Sequence, residues 1–267
     1  MFMPGNSAIM VPHTSDGRVL FAVPWHDHVV VGTTDVSVDT VSLEPVPQAE
    51  EIGFILSNAA KYLNKAPTRS DVLSAYAGLR PLVKVGDSKN TAALSRDHTI
   101  LISKAGLLTI AGGKWTTYRK MAEDAVDQAQ TMAGFEDRPC TTDHLQIHGW
   151  TRQSIPEPSL RVYGADAAAL QEIAREEPDL AEKIHCELPY IGAEVVWAVR
   201  SEMARTVEDV LARRTRALLL GARASIEAAP RVAELMAREL NRDGYWQKQN
   251  VRDYTEAAQR YILDAIC

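Results

Sequence analysis

The chain has 267 residues, 46% hydrophobic and 24% charged, with a formal net charge of −6 and a pI near 5.7. Those values fit one large or two smaller globular domains and exclude a general nucleic-acid binder. No run approaches the ~18 apolar residues of a membrane span, and the opening MFMPGNSAIM has neither the basic n-region nor the long apolar core of a secretory signal. Three cysteines, Cys140, Cys186 and Cys267, are odd in number and far apart, with no CxxC, so a reducing compartment is expected.

Residues 7–35 read as β structure. A short run at Ser7–Val11 is followed by a turn signal at Ser15-Asp16-Gly17. Val19–Trp25 and His28–Gly32 are β-rich runs separated by His26-Asp27, the pattern of an antiparallel hairpin or meander. After Gly32-Thr33-Thr34-Asp35 and a polar stretch, apolar positions Ile52, Ile55, Leu56, Ala59 and Leu63 predict a helix over 49–63. Val72–Ala77 is strand-like and ends in Gly78-Leu79-Arg80-Pro81-Leu82; a polar stretch follows, then Ser95-Arg96-Asp97 and a run at His98–Ser103.

Gly106–Ala129 organises what surrounds it. Leu107–Ala111 is apolar and partly β-branched, Gly112-Gly113 follow at once, and Thr116 and Thr117 open a helix with Met121, Ala122, Ala125, Val126 and Ala129 at helical spacing. In a strand, glycine turn and helix, the glycines permit a tight turn and close approach to the main chain. The helix start directs unpaired N–H groups at the turn, where Lys114 adds a full positive charge. Such a turn suits an anion, or a group that becomes anionic in a reaction; it is equally read as an ordinary strand-to-helix connection with a surface lysine.

Residues 135–158 hold Pro139 and Pro156 as an irregular linker, and from Ser159 onward the pattern is almost entirely helical. Helices are expected at Ala167–Arg175, capped by Asp166, then at Ile191–Ala204, Val207–Ala217, Ser225–Leu240 and Asn250–Ile266. Trp197 and Met203 are expected in the core, and Arg213-Arg214-Thr215-Arg216 on a solvated or ion-paired face, with a phosphate-lipid or partner contact as the sharper reading. His26, His28 and His98 fit strand or turn roles better than chemistry, because no cysteine or carboxylate cluster accompanies them at metal-ligand spacing. G-x-G-x-x-G, a GKS/T phosphate loop and HExxH are all missing, so the chain has no complete dinucleotide-binding βαβ unit and no metal site is expected.

Taken together, Val23-Pro24-Trp25, Gly32-Thr33-Thr34-Asp35, Gly78-Leu79-Arg80-Pro81-Leu82, Ser95-Arg96-Asp97 and Ala111–Arg119 closely resemble the FAD-dependent sn-glycerol-3-phosphate dehydrogenases, most of all the respiratory form. The likeness extends through Glu194-Val195, Ser201–Ala204 and Arg213–Arg216. It implies an α+β fold. Residues 1–134 would be a partial substrate-binding domain with an antiparallel sheet, plus the last strand and helix of the FAD domain; 135–158 a linker; 159–267 an all-α C-terminal cap. The family's N-terminal dinucleotide fold is not in this sequence, so the chain is expected to correspond to the C-terminal portion and to be inactive alone.

The resemblance implies oxidation of sn-glycerol 3-phosphate to dihydroxyacetone phosphate, with FAD as cofactor and quinone as acceptor. It also implies a peripheral place on the inner face of the cytoplasmic membrane, and a homodimer is a further expectation. A glycerol-3-phosphate oxidase using oxygen is the near alternative, and a non-catalytic helical interaction module the distant one. Arg80, whose turn is stiffened by Pro81, would clamp the substrate phosphate with its guanidinium fork. Arg96 would be the second phosphate ligand, oriented by Asp97, unless it is a surface ion pair. Lys114 would be both catalytic and substrate-binding at the flavin edge. Gly112, Gly113, Trp115, Thr116 and Thr117 would bind the cofactor, their N–H groups facing the pyrimidine side of its ring.

Overall fold

In the computed structural model, which describes residues 2–3, 5–14, 17–80 and 97–265, β2 (Leu20–Trp25) and β3 (His28–Gly32) pair antiparallel, with Phe21 opposite Gly32 and Trp25 opposite His28. His26 and Asp27 form the connecting turn, both at positive φ (46° and 60°), the handedness that matches the twist of two strands joined by two residues. β1 (Ile9–Val11) adds to the other side of β2, placing Val11 opposite Leu20, both buried. The alternation expected of a half-buried sheet is plain along β2: Leu20 and Ala22 are buried, Phe21 and Val23 exposed. Met10 joins that exposed apolar face.

α1 (Ala49–Ala59) starts where Glu51 accepts from the Gln48 N–H at 3.0 Å and from the Thr34 hydroxyl, and it buries Ile52 and Ala59. Among the described residues the strand-like run Val72–Ala77 joins no sheet. Its backbone bonds to the ends of helices instead: the Leu73 carbonyl accepts from the Ala222 N–H (3.0 Å), and the Ala75 N–H donates to the Tyr261 carbonyl (2.9 Å). Groups that a helix terminus leaves unpaired thus take the place of a ladder partner.

Beyond residue 158 the chain is helical: α3 (Ala167–Glu176), α4 (Gly192–Ser201), α5 (Ala217–Leu220), α6 (Ala222–Leu240) and α7 (Gly244–Gln259). An antiparallel sheet with a helical region bears out the α+β class. The helical bounds differ from the sequence periodicity in several places; α6 starts at Ala222 rather than Ser225, and α7 ends at Gln259 rather than Ile266. α4 stops at Ser201, and Met203, expected in the core, is exposed at φ 58°. Over Asp209–Arg214 the chain makes a wide π-helical turn, with the Thr215 N–H donating to the Val210 carbonyl at 2.9 Å, and Arg216 then adopts a left-handed backbone (φ 59°). α7 begins at Gly244, six residues before the expected start at Asn250, because the Asp243 carboxylate caps the Trp246 N–H at 2.9 Å.

The described chain forms two compact units, one holding residues of Met1–Val36, Thr40–Gly78 and Thr151–Cys267, the other those of Ser37–Asp39 and Leu79–Trp150. In the first, α4, α6 and α7 enclose a continuous core that includes Val195, Leu211, Val232, Met236 and Tyr254. In the second, β4 (His98–Ile102) pairs antiparallel with β5 (Leu108–Gly112) and α2 (Tyr118–Ala133) follows, ended by Gly134 in the left-handed conformation. No residue of α2 is buried, although ten of α6 are. Amide exchange is therefore expected to be faster throughout α2 than in α6, since buried contacts govern local opening; equal protection in the two helices would contradict this. Among the described residues no helix is long and apolar enough to cross a membrane.

Candidate functional site

The turn between β5 and α2 brings most of the sequence-predicted site residues together. Gly112 and Gly113 both take positive φ (78° and 81°), a conformation that costs a side chain dearly and glycine little. A Cβ on Gly113 would collide with the Met121 thioether, and it would lie 3.4 Å from the His98 Cβ. Gly113 therefore lets α2 fold back against the strands. Gly113→Ala is expected to cost roughly 1–3 kcal/mol of stability, combining backbone strain with displacement of Met121. An unchanged thermal midpoint would show that the turn relaxes freely.

Lys114 follows on extended backbone (φ −134°), and Trp115–Thr117 make one tight helical turn before α2. The Thr117 hydroxyl donates to the Lys114 carbonyl (3.0 Å) and its N–H donates to the same oxygen (3.0 Å), so this residue is committed to holding the turn. Trp115 and Thr116 precede any intrahelical acceptor for their own N–H groups, as the first residues of a helical turn do. Lys114 and Thr116 are exposed, and the Trp115 ring, 85% exposed, stacks on Tyr118 with centroids 5.3 Å apart and planes 22° off parallel. The turn thus presents a cation, N–H groups and a flat aromatic face.

Ion pairs that the sequence reading did not single out fix the turn from behind. His98 of β4 meets the Asp124 carboxylate at 3.0 Å; Lys120 reaches Glu123 (2.7 Å) and Asp124 (2.9 Å); Arg119 reaches Glu123 (2.6 Å) and the Thr142 hydroxyl (3.2 Å). Hydrogen bonds from Lys120 and Arg119 hold the Glu123 carboxyl at a pKa of about 2. Arg119 with Glu123 and Lys120 with Asp124 stand four residues apart, which the sequence displays; the His98–Asp124 pair needs the fold. Glu123, Asp124 and Asp127 lie close enough to hold a cation, but Lys120, Arg119 and His98 already pair with the first two.

Arg80 lies in the exposed irregular segment after Gly78, and Arg96 lies outside the described residues. Of the other histidines, His26 belongs to the β2–β3 turn, where the His28 Nδ1 lies 2.6 Å from the His26 carbonyl oxygen. The arginine run divides: Arg213 pairs with Glu208 and Asp209, while Arg214 donates to the Glu202 carbonyl.

The antiparallel strands and the double-glycine turn that displays a cation and N–H groups are matched over residues 3–119 by the family model described as FAD dependent oxidoreductase. The chain belongs to the family described as the C-terminal domain of alpha-glycerophosphate oxidase, whose model matches residues 107–249. The two matches overlap over 107–119, the β5 strand and its turn. The chain is 38% identical to the mitochondrial glycerol-3-phosphate dehydrogenase of Mus musculus, over 98% of this chain and 38% of that protein. It is 36% identical to the mitochondrial glycerol-3-phosphate dehydrogenase of Arabidopsis thaliana, over 97% and 46%. The X-ray structure of the Bacillus halodurans glycerol-3-phosphate dehydrogenase complexed with FAD superimposes with a TM-score of 0.75 at 27% identity, over 96% of this chain and 53% of that one. The chain thus spans between about two fifths and a half of the length of these relatives.

Proposed function

We propose that this chain supplies the substrate-binding and capping part of an FAD-dependent sn-glycerol-3-phosphate dehydrogenase. The observation that carries the reading is the similarity across nearly the whole chain to proteins of that name, which includes the β5–α2 turn. In this reading residues 1–134 carry the substrate-facing sheet and the last strand and helix of the flavin domain, 135–158 connect, and 159–267 form the cap.

The donor set at the turn fits the flavin. Lys114 and the N–H groups of Trp115 and Thr116 are the donors that an electron-rich pyrimidine end attracts. Gly112 and Gly113 let the main chain turn beside it, and Thr117 keeps Lys114 in place through its two bonds to the Lys114 carbonyl. Bound there, FAD would supply the hydride acceptor for C2 of the substrate. Arg80 and Arg96 hold the substrate phosphate, and Lys114 steadies the oxygen at C2 as a base supplied by the rest of the enzyme takes its proton. Dihydroxyacetone phosphate is the product, quinone the acceptor, and the protein sits peripherally on the inner face of the cytoplasmic membrane as a homodimer.

The test is reduction of a quinone analogue by the flavin-loaded protein, dependent on glycerol 3-phosphate. The oxidase reading is favoured by the name of the matched family, and stoichiometric hydrogen peroxide without quinone reduction would establish it. No flavin and no turnover in any preparation would favour a helical interaction module. The 267 residues on their own are expected to purify colourless, because the sequence has no G-x-G-x-x-G whose helix start holds a pyrophosphate. A yellow protein with one flavin per chain would refute that.

A further inference from the structure

Apolar burial does little to hold α2 on the strands before it, since none of its residues is buried. Two side-chain contacts are seen there. The Met121 thioether occupies the space that a Cβ on Gly113 would take. The His98 Nε2 meets the Asp124 carboxylate at 3.0 Å, both side chains partly buried. β4 and β5 contain no other ionisable residue, so His98 is the strands' one ionic hold on the helix. The remaining ion pairs of α2, Arg119 with Glu123 and Lys120 with Glu123 and Asp124, lie within the helix and cannot orient it on the strands.

The place of His98 bears on the turn. It stands opposite Gly112 in the β4–β5 register, and its Cβ is 3.4 Å from where a Cβ on Gly113 would be. One residue thus adjoins the end of β5, the double glycine and, through Asp124, the second turn of α2. The Asp124 pKa is lowered chiefly by its hydrogen bond from Lys120, with burial opposing and His98 adding to the fall. A carboxylate only accepts, so the His98 Nε2 carries the proton between them.

From this geometry we infer that His98 is a positioning residue: through Asp124 it fixes the angle at which α2 starts, and with it the direction of the Lys114 side chain and of the Trp115 and Thr116 N–H groups. The inference rests on the reading of this turn as the flavin-facing one. Donors aimed at developing charge act only when held to about half an ångström and roughly 10–20°. A misplacement of about 1 Å can cost on the order of 100-fold in rate. His98 lies behind the turn and acts through it.

The first test needs no flavin. The Thr117 N–H donates to the Lys114 carbonyl at 3.0 Å and so reports on the turn. In the full chain, His98→Ala should speed exchange of that amide at least tenfold and leave the amides of α6 unchanged. His98→Gln, whose amide can donate to Asp124, should restore most of the protection. Asp124→Ala should repeat the His98→Ala result and serves if His98→Ala fails to fold. The double variant should be no worse than either single one, because both remove the same contact. In the flavin-loaded enzyme, His98→Ala should lower kcat for glycerol 3-phosphate at least tenfold with KM changed less than twofold. It should also disfavour the reduced flavin at least tenfold, a shift of about −30 mV for two electrons, and His98→Gln should recover both. Unchanged Thr117 exchange, a His98→Gln as damaged as His98→Ala, or additive losses in the double variant would overturn the inference. A wild type reduced by glycerol 3-phosphate beside a His98→Ala of equal kcat and potential would overturn it and leave the flavin reading standing. A wild type that never takes up FAD would overturn that reading and the inference with it.

Discussion

Glu194→Gln is expected to stabilise the helical region at pH 8 and to change it little at pH 5. Glu194 sits in the first turn of α4, 1% exposed, accepting from the Ile191 N–H at 2.8 Å and from the Tyr163 hydroxyl at 2.9 Å. Burial pushes its pKa up to about 7 against an ordinary 4.5; the two hydrogen bonds pull the other way, and the Glu202 charge adds to the rise. Between those two values the folded protein binds the proton more tightly than the unfolded chain, so stability falls as pH climbs through that window. The loss is complete above pH 7 and amounts to about 3 kcal/mol.

A glutamine carries no charge to desolvate. Its carbonyl can accept from the Ile191 N–H while its amide donates to the Tyr163 oxygen, so both contacts persist, the one to Tyr163 with its direction reversed. Glu194→Ala orphans both, and should be less stable than the wild type by roughly 2–4 kcal/mol at pH 5, with the gap narrowing by pH 8, where the wild type carries the buried charge. Urea unfolding of wild type and both variants at pH 5 and pH 8, followed by circular dichroism, measures these differences. Glu202, itself raised by burial, tilts the absolute curves of all three proteins, so the difference between wild type and Glu194→Gln is the quantity to read. If that difference is the same at both pH values, Glu194 does not titrate where burial places it.

How much of this was legible in the sequence depends on the range of the interactions involved. The hairpin showed because Val19–Trp25 and His28–Gly32 are β-rich and separated by two residues, and the β5–α2 turn because a β-branched run, two glycines and a helical period abut. Val72–Ala77 had the same local preference as a strand, but its hydrogen-bond partners are the ends of α6 and α7, which no local pattern discloses. The start of α7 was hidden because Asp243-Gly244 reads as a breaker unless the aspartate is seen to cap. Met203 kept helical spacing after the helix had ended, and spacing alone cannot tell a continuing turn from a left-handed exit. At the candidate site the contiguous residues were readable from Gly112 to Thr117. The contact of His98 with Asp124 joins distant positions and required the fold.

In the flavin-loaded enzyme, Arg80→Ala is expected to lower kcat/KM for glycerol 3-phosphate by on the order of 2–4 kcal/mol, or roughly 30- to 1,000-fold, with FAD retained. The reasoning starts from the segment itself. Gly78 has open space where a Cβ would stand, and Arg80 is exposed, so the guanidinium sits on a surface that a phosphate can reach. Pro81 follows in sequence and restricts the backbone of the residue before it, which limits the conformations Arg80 explores before substrate arrives. A guanidinium can hold two phosphate oxygens in one plane, and alanine removes both bonds and the charge. Arg80→Lys should recover only part of the loss, since an ammonium restores charge without the fork. The same substitution should hardly affect a substrate that lacks the phosphate, such as glycerol at high concentration, and this comparison separates phosphate recognition from damage to the segment. Equal losses with both substrates would assign Arg80 to holding the fold, and an unchanged kcat/KM would remove it from the site.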